Sequence, residues 1–206
     1  AKSLYQQSYQ QQSVTHLSVK ELEQITERLT HVKEIKQAAN LDIEPFHLRA
    51  APHQEPSFEL NQSLCHQCHN ARPHQKSAKT RSFLNMHAQQ MDCLSCHFST
   101  EEKQLNYQWL DSNNQLIQSI GFADKAHYQL VAIYQSTPIN PSYQSDFAKE
   151  IKSQWQQLDD AQQHSKKQQK ALLWRNLHQP LAKETLTCTS CHQQKAHTHT
   201  HTHTHT

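Results

Sequence analysis

Apolar residues recur at helical spacing in two stretches of the chain. The first follows Ser18 and Glu21, which have the spacing of a capping box, in which the two side chains satisfy backbone amides at a helix start. Residues 18–40 are therefore predicted to form a helix with an apolar face of Leu22, Ile25, Leu29, Val32 and Ile35. The second stretch begins near Ser145 and places on one face Phe147, Ile151, Trp155 and Leu158. A further apolar segment, 171–177, follows the polar run 162–169.

Strand-like alternation is confined to one region. Residues 105–110 alternate apolar and polar side chains, 112–114 can turn, and 115–120 can return, which predicts a small β-hairpin at about 105–120. Residues 1–17 are rich in Gln and Ser and predict a loose, extended N-terminal arm. The expected fold is mainly α-helical, with much irregular structure and this one hairpin.

Composition limits what such a fold can bury and bind. Only 34% of the 206 residues are hydrophobic, so a core made of side chains alone would be thin. The single glycine, Gly121, excludes a P-loop and a dinucleotide-binding fingerprint. No apolar run is long enough for a transmembrane segment, and no basic helix indicates nucleic-acid binding. The chain begins at Ala1 without Met, which indicates a processed or trimmed N-terminus, and no signal peptide is recognised.

The six cysteines supply the chemistry. They form three CxxC pairs, each followed directly by a histidine: Cys65, Cys68 and His69; Cys93, Cys96 and His97; Cys188, Cys191 and His192. CxxCH is the attachment signature of c-type haem. Two thiols at this spacing can add to the two vinyl groups of one porphyrin, and the next residue then ligates the iron as the proximal histidine.

Two other interpretations of the cysteines compete with haem attachment. A four-cysteine zinc site formed by the first two pairs would leave Cys188 and Cys191 without a role. Three disulfides or thioredoxin-like pairs are the other possibility. Neither explains why a histidine follows every pair, so three covalent haems are the favoured interpretation.

At these motifs the chain resembles multihaem c-type cytochromes, specifically trihaem ones with bis-histidine, low-spin haems. The resemblance implies a trihaem domain over 41–192, wrapped around its haems after the arm and the helix. Haems 1 and 2 would lie at 61–97, a haem-free insert at 101–187 and haem 3 at 188–192. It also implies export to the periplasm or the cell exterior, and redox proteins as partners, including a membrane-bound or multihaem complex or further copies of the chain.

Each bis-histidine haem needs a second, distal histidine. His74, His87 and His178 are the predicted distal ligands, because each lies near a motif in sequence. His87 precedes the second motif and is expected to serve that haem or its neighbour, and His178 is expected to serve the third haem. His47 and His53 are reserves for the first haem and His127 for the third.

The other candidates for iron ligation are less favoured. His31 lies off the apolar stripe, His66 lies inside its own CxxC loop, and His16 and His164 lie in polar segments. Met86 and Met91 are alternatives that would raise a haem potential. The basic residues around the first two motifs would balance haem propionates or form a docking patch. The His-Thr tail, 196–206, is either an affinity tag or a native repeat, and it suits transition-metal binding.

The sequence thus predicts a cytochrome that relays single electrons between redox partners outside the cytoplasmic membrane. No catalytic constellation is visible, and iron with two histidine ligands has no vacant position for a substrate. Two alternatives remain open. One is a redox enzyme, or a subunit of one, with an open-coordination haem. The other is a subunit of a larger multihaem complex or of a cytochrome filament.

Overall fold

A computed structural model describes residues 2–38, 63–69, 73–88, 90–99, 105–111, 115–117, 128–142, 144–159, 164–187, 189 and 192. Its helices are α1 (Leu4–Gln12), α2 (Val19–Ala38), α3 (Ala78–Ala88), α4 (Leu94–His97), α5 (Asp146–Asp159) and α6 (His164–His178). Its strands are β1 (Asn106–Leu110), β2 (Leu116–Ile117), β3 (Gln129–Tyr134) and β4 (Thr137–Pro138). Cys188, Cys191, His47, His53, His127 and the tail 196–206 lie outside the described residues.

The two helices predicted from apolar stripes are confirmed. At the start of α2 the Glu21 carboxylate accepts a hydrogen bond from the Ser18 backbone amide at 3.0 Å. The Ser18 hydroxyl in turn accepts one from the Glu21 amide at 3.3 Å, which completes the capping box. In α5 the predicted stripe turns inward, where Ile151 is buried and Trp155 packs against the core. Both α2 and α5 pack against α6.

The predicted hairpin is confirmed as part of a larger sheet. Strands β1 and β2 pair antiparallel, with Trp109 opposite Ile117. The other edge of β1 pairs antiparallel with β3, and β3 pairs with β4 across a tight turn, which gives the order β2-β1-β3-β4. Strand β3 is the most deeply buried of the four because Val131, Ala132 and Ile133 are each at most 3% exposed. The sheet therefore adds a small β layer to a mainly helical chain.

The loose N-terminal arm is the first expectation that the structure corrects. Residues 4–12 form α1, whose first turn is capped by the Ser3 hydroxyl, which accepts a hydrogen bond from the Gln6 amide. Tyr5 is only 3% exposed, and its hydroxyl donates a 2.6 Å hydrogen bond to the Leu177 carbonyl in α6. Tyr5 lies in the core and Leu4 and Tyr9 pack against it, contacts that the glutamine content of this segment does not indicate.

The second correction concerns the region of the first two motifs, which is more regular than the irregular structure expected for much of the chain. An eleven-residue helix, α3, lies between these motifs and ends beside the second one. The short helix α4 covers the second motif from Leu94 onward, with Cys93 directly before it, and packs against β3. Its first residue, Leu94, is 1% exposed. The core thus joins motif, sheet and helices in one cluster. Among the described residues, no helix is long and apolar enough to cross a membrane.

Candidate metal centre

The first two CxxCH motifs each fold into a single helical turn. In the first motif, a 3-10 turn over Leu64–Gln67 begins at Ser63, and the His69 amide donates to the Cys65 carbonyl at 2.9 Å. In the second, the His97 amide donates to the Cys93 carbonyl at 3.1 Å. One turn of helix brings residues four apart to the same side of the backbone. The local fold therefore gathers the thiols and the imidazole of each motif on one side.

Each of the three motif histidines lies against a second histidine from elsewhere in the chain. They form a first, a second and a third pair, in the order of the motifs. In the first pair, the ring centres of His69 and His178 are 6.1 Å apart. In the second, those of His97 and His74 are 6.2 Å apart. In the third, those of His192 and His87 are also 6.2 Å apart.

This shared distance is the one that two imidazoles on opposite sides of a single metal ion require. Each ligating nitrogen lies about 2 Å from the metal, and each ring centre lies roughly 1 Å beyond its nitrogen, so the ring centres are about 6 Å apart. Edge-to-face ring contacts without a metal reach a similar distance, as for Tyr5 and Phe147, whose centres are 6.4 Å apart. The spacing of the three pairs is thus compatible with a shared metal ion.

The non-motif histidine of each pair has one ring nitrogen turned to an oxygen acceptor. His178 Nδ1 lies 2.7 Å from the Trp174 carbonyl, and His87 Nδ1 lies 2.8 Å from the Phe83 carbonyl. His74 Nδ1 lies 3.0 Å from the side-chain oxygen of Asn85. A carbonyl oxygen can only accept, so each Nδ1 carries the proton and each Nε2 keeps its lone pair for a metal.

A cleft surrounds the first pair. It is partly open to solvent, and its lining includes Cys65, Cys68, His69 and His178. Its walls are mostly apolar and are formed by Tyr5, Leu29, Leu64, Ile151, Trp155, Trp174, Leu177 and Leu181. Thiols and two imidazoles inside an apolar cleft are the set of groups that a covalently bound, six-coordinate haem needs.

Burial favours the neutral form of two of the paired imidazoles. Desolvation lowers the pKa of His97, and the neighbouring His74 lowers it further. Desolvation also lowers the pKa of His178, more than its hydrogen bond to the Trp174 carbonyl raises it. The neutral form is the one that ligates a metal, because the protonated ring has no lone pair to donate.

Backbone contacts bring the first two pairs close together. The segment that follows His178 runs beside the second motif, where the Ala182 amide donates to the His97 carbonyl at 2.8 Å. The thiols of the two motifs also meet, since a hydrogen bond to Cys65, together with burial, raises the pKa of the Cys93 thiol. The third pair is linked to the second through α3, which carries both His87 and Asn85, and the Asn85 side chain lies 3.0 Å from His74 Nδ1. The second pair is therefore linked to both of the others.

One expected assignment differs from the structure. His178 was expected to serve the third motif, which follows it in sequence, but its ring contacts His69 of the first motif. The physical reason is that α6 packs against α1 and α2, and its C-terminal end borders the cleft of the first motif. The ring beside His192 of the third motif is instead that of His87, on α3.

The remaining candidates whose side chains the structure describes take no part in these pairs. His16 and His164 are exposed, and His66 has its Nε2 4.0 Å from the Cys93 sulfur. Only the backbone of α2 is described at His31, and the reserves His47, His53 and His127 lie outside the described residues. Met86 is exposed, whereas the backbone of Met91 forms an isolated β-bridge with Leu130 in β3.

The zinc alternative has no matching geometry in the described part of the chain. There, no group of three or more histidine, cysteine, aspartate or glutamate side chains is gathered to hold a metal ion. A zinc site would need such a group, usually four ligands, whereas a haem iron takes only two from the protein because the porphyrin supplies the rest. Three histidine pairs fit the second requirement.

No protein-family model, curated protein or solved structure matches the chain. The candidate site is therefore defined by its own residues: three CxxCH motifs, and three further histidines at a common distance from them.

Proposed function

We propose that the chain is a c-type cytochrome that binds three haems covalently and relays single electrons between redox partners. One observation carries the proposal: each motif histidine faces one other histidine, with ring centres 6.1 to 6.2 Å apart. The recurrence of this distance at three separate pairs, in parts of the fold that differ in burial, is expected if all three share one kind of ligand.

The residues of the chain have defined roles in this proposal. Two cysteines of each motif form thioether links, and His69, His97 and His192 ligate iron from the motif side. His178, His74 and His87 ligate it from the opposite side through Nε2. The apolar walls of the first cleft exclude water, which favours a bound porphyrin and also completes a core that is otherwise poor in hydrophobic side chains.

Electron transfer fits the pairs better than substrate turnover. A bound haem would supply an iron that alternates between ferric and ferrous states. With a histidine on each side, such an iron keeps no position for nitrite, peroxide or another small substrate. The alternative of an enzyme with one open haem would require a motif histidine without a second histidine, and each of the three motif histidines has one.

The contacts between pairs also favour a relay. Since the second pair is linked to both others, an electron would pass between the first and third sites through the second. We propose that the protein works outside the cytoplasmic membrane, because the proteins it resembles acquire their haems there. Its partners would be redox proteins, with a larger multihaem complex or a filament as the alternative setting.

Carbon monoxide binding to the reduced holoprotein tests this function. It binds ferrous haem only where a ligand position is open, so the wild type should show no binding. Replacement of His74, His87 or His178 by alanine should open one haem of three in each case. His16→Ala and His164→Ala are matched controls at exposed histidines and should leave the spectrum unchanged.

Two outcomes would contradict the proposal. Binding of carbon monoxide by the wild-type protein would favour the enzyme alternative. Haem-containing variants that all stay closed to carbon monoxide would show that the three histidines do not ligate iron.

A further inference from the structure

The side-chain amide of Asn85, on α3, contacts both the backbone and the ring of His74. Its Oδ1 lies 3.1 Å from the His74 backbone nitrogen and 3.0 Å from His74 Nδ1. Its Nδ2 lies 3.2 Å from the His74 carbonyl oxygen. Both residues are half-buried. One side chain thus makes three hydrogen bonds to a single histidine.

These contacts fix the tautomer of the neutral His74 ring. The backbone amide of His74 can only donate and its carbonyl can only accept, so the Asn85 amide has one satisfactory orientation, with Oδ1 toward the amide. The same Oδ1 faces His74 Nδ1, which must therefore carry the proton. The lone pair is left on Nε2, the nitrogen that would ligate the iron shared with His97.

His74 differs in this respect from the other two non-motif histidines. His87 and His178 lie in the last turn of their helices, and each places Nδ1 on the carbonyl four residues earlier. His74 lies in the loop before α3, where helix geometry supplies no such carbonyl. Asn85 takes over this role, eleven residues further along the chain.

We infer that Asn85 is the positioning residue of the second pair: it holds the Nδ1 proton of His74 and thereby sets how strongly Nε2 donates to the metal. The inference rests on the proposed haem function. A partner that accepts a hydrogen bond from this N–H raises the basicity of a ligating imidazole and restrains its orientation, and loss of such a partner weakens ligation about 10- to 100-fold. The potential of the second haem would therefore depend on residue 85.

Two substitutions at this position should shift that potential in opposite directions. Asn85→Ala removes the acceptor, so His74 should bind less tightly, carbon monoxide should enter one haem of three, and that haem's potential should rise. Asn85→Asp keeps an acceptor and adds negative charge, so Nε2 should donate more strongly, the haem should stay closed and its potential should fall. Redox titration followed optically, with carbon monoxide difference spectra, measures both effects.

The pair of variants separates positioning from a purely structural role. Both lose the hydrogen bond to the His74 carbonyl, so a structural defect alone would shift the potential in the same direction in both. If the alanine variant does not accumulate, Asn85→Leu, which also lacks the acceptor, takes its place and should raise the same haem potential. Asn106→Ala and Asn106→Asp, at an exposed position of β1, are the controls and should leave all potentials unchanged.

The outcomes of this experiment are distinct from failure of the proposed function. Shifts of the same sign, or no shift, in variants that retain three haems would overturn the role of Asn85 while leaving the cytochrome proposal intact. A wild-type chain without haem would overturn both.

Discussion

Replacement of Asp92 by asparagine should remove a pH dependence of stability that arises from one buried carboxyl group. Asp92 is 2% exposed and directly precedes the second CxxCH motif. Its carboxylate accepts hydrogen bonds from the Leu94 amide at 2.8 Å and from the Asn140 side chain. Burial outweighs these hydrogen bonds and raises the pKa of Asp92 from 3.8 to about 6.

The direction of the effect follows from where the proton is held more tightly. Between pH 3.8 and about 6 the folded chain retains the Asp92 proton while the unfolded chain releases it. The contribution of this group to the free energy of unfolding is therefore fully present below this window, decreases through it and stays low above it. At about 1.4 kcal/mol per pKa unit, the full decrease is on the order of 3 kcal/mol.

Urea unfolding of the holoprotein at a series of pH values measures this contribution. Asparagine keeps an oxygen for the Leu94 amide but cannot ionise, so the Asp92→Asn variant should gain about 2 to 3 kcal/mol relative to wild type between acid and neutral pH. Asp146→Asn, at an exposed carboxylate, is the matched control and should not reproduce this gain. A difference that stays constant with pH, or that decreases toward neutral pH, would refute the reasoning.

Three further predictions concern packing and the histidine pairs. Tyr5→Phe removes the 2.6 Å hydrogen bond from α1 to α6 and should lower the free energy of unfolding by about 1 kcal/mol in urea titrations. Leu94→Ala, at a side chain 1% exposed, should lower it by about 3 kcal/mol, and a loss below about 1 kcal/mol would contradict its place in the core. In a variant that lacks the first haem through Cys65→Ala and Cys68→Ala, the further substitution His178→Ala should open no site to carbon monoxide. An opened site would show that His178 serves another haem.

Local patterns were sufficient to predict several elements. The capping box and apolar stripe predicted α2, the stripe from Phe147 predicted α5, and alternation predicted the pairing of β1 with β2. Each of these signals is contained within a few helical turns or one hairpin, so it can be recognised without the rest of the fold. The haem interpretation of the motifs is likewise local, and it remains a prediction.

Other features depend on contacts between distant parts of the chain. Helix α1 is stabilised by Tyr5 against α6, more than 160 residues away, and nothing in its own glutamine-rich sequence indicates that partner. Strand β3, Gln129–Tyr134, was not predicted. It is held by pairing with β1, a contact between separate segments that a local hairpin pattern does not indicate. The pairing of His178 with His69 likewise depends on how α6 packs, which spacing along the chain does not determine.

The central claim, that the three CxxCH motifs hold covalent haems, is tested most directly by the intact mass of the denatured protein, purified from cells able to attach haem to such motifs. Thioether links survive denaturation, so the account predicts a coloured chain with the mass of the polypeptide plus three haems. A colourless chain with the mass of the unmodified polypeptide would contradict it.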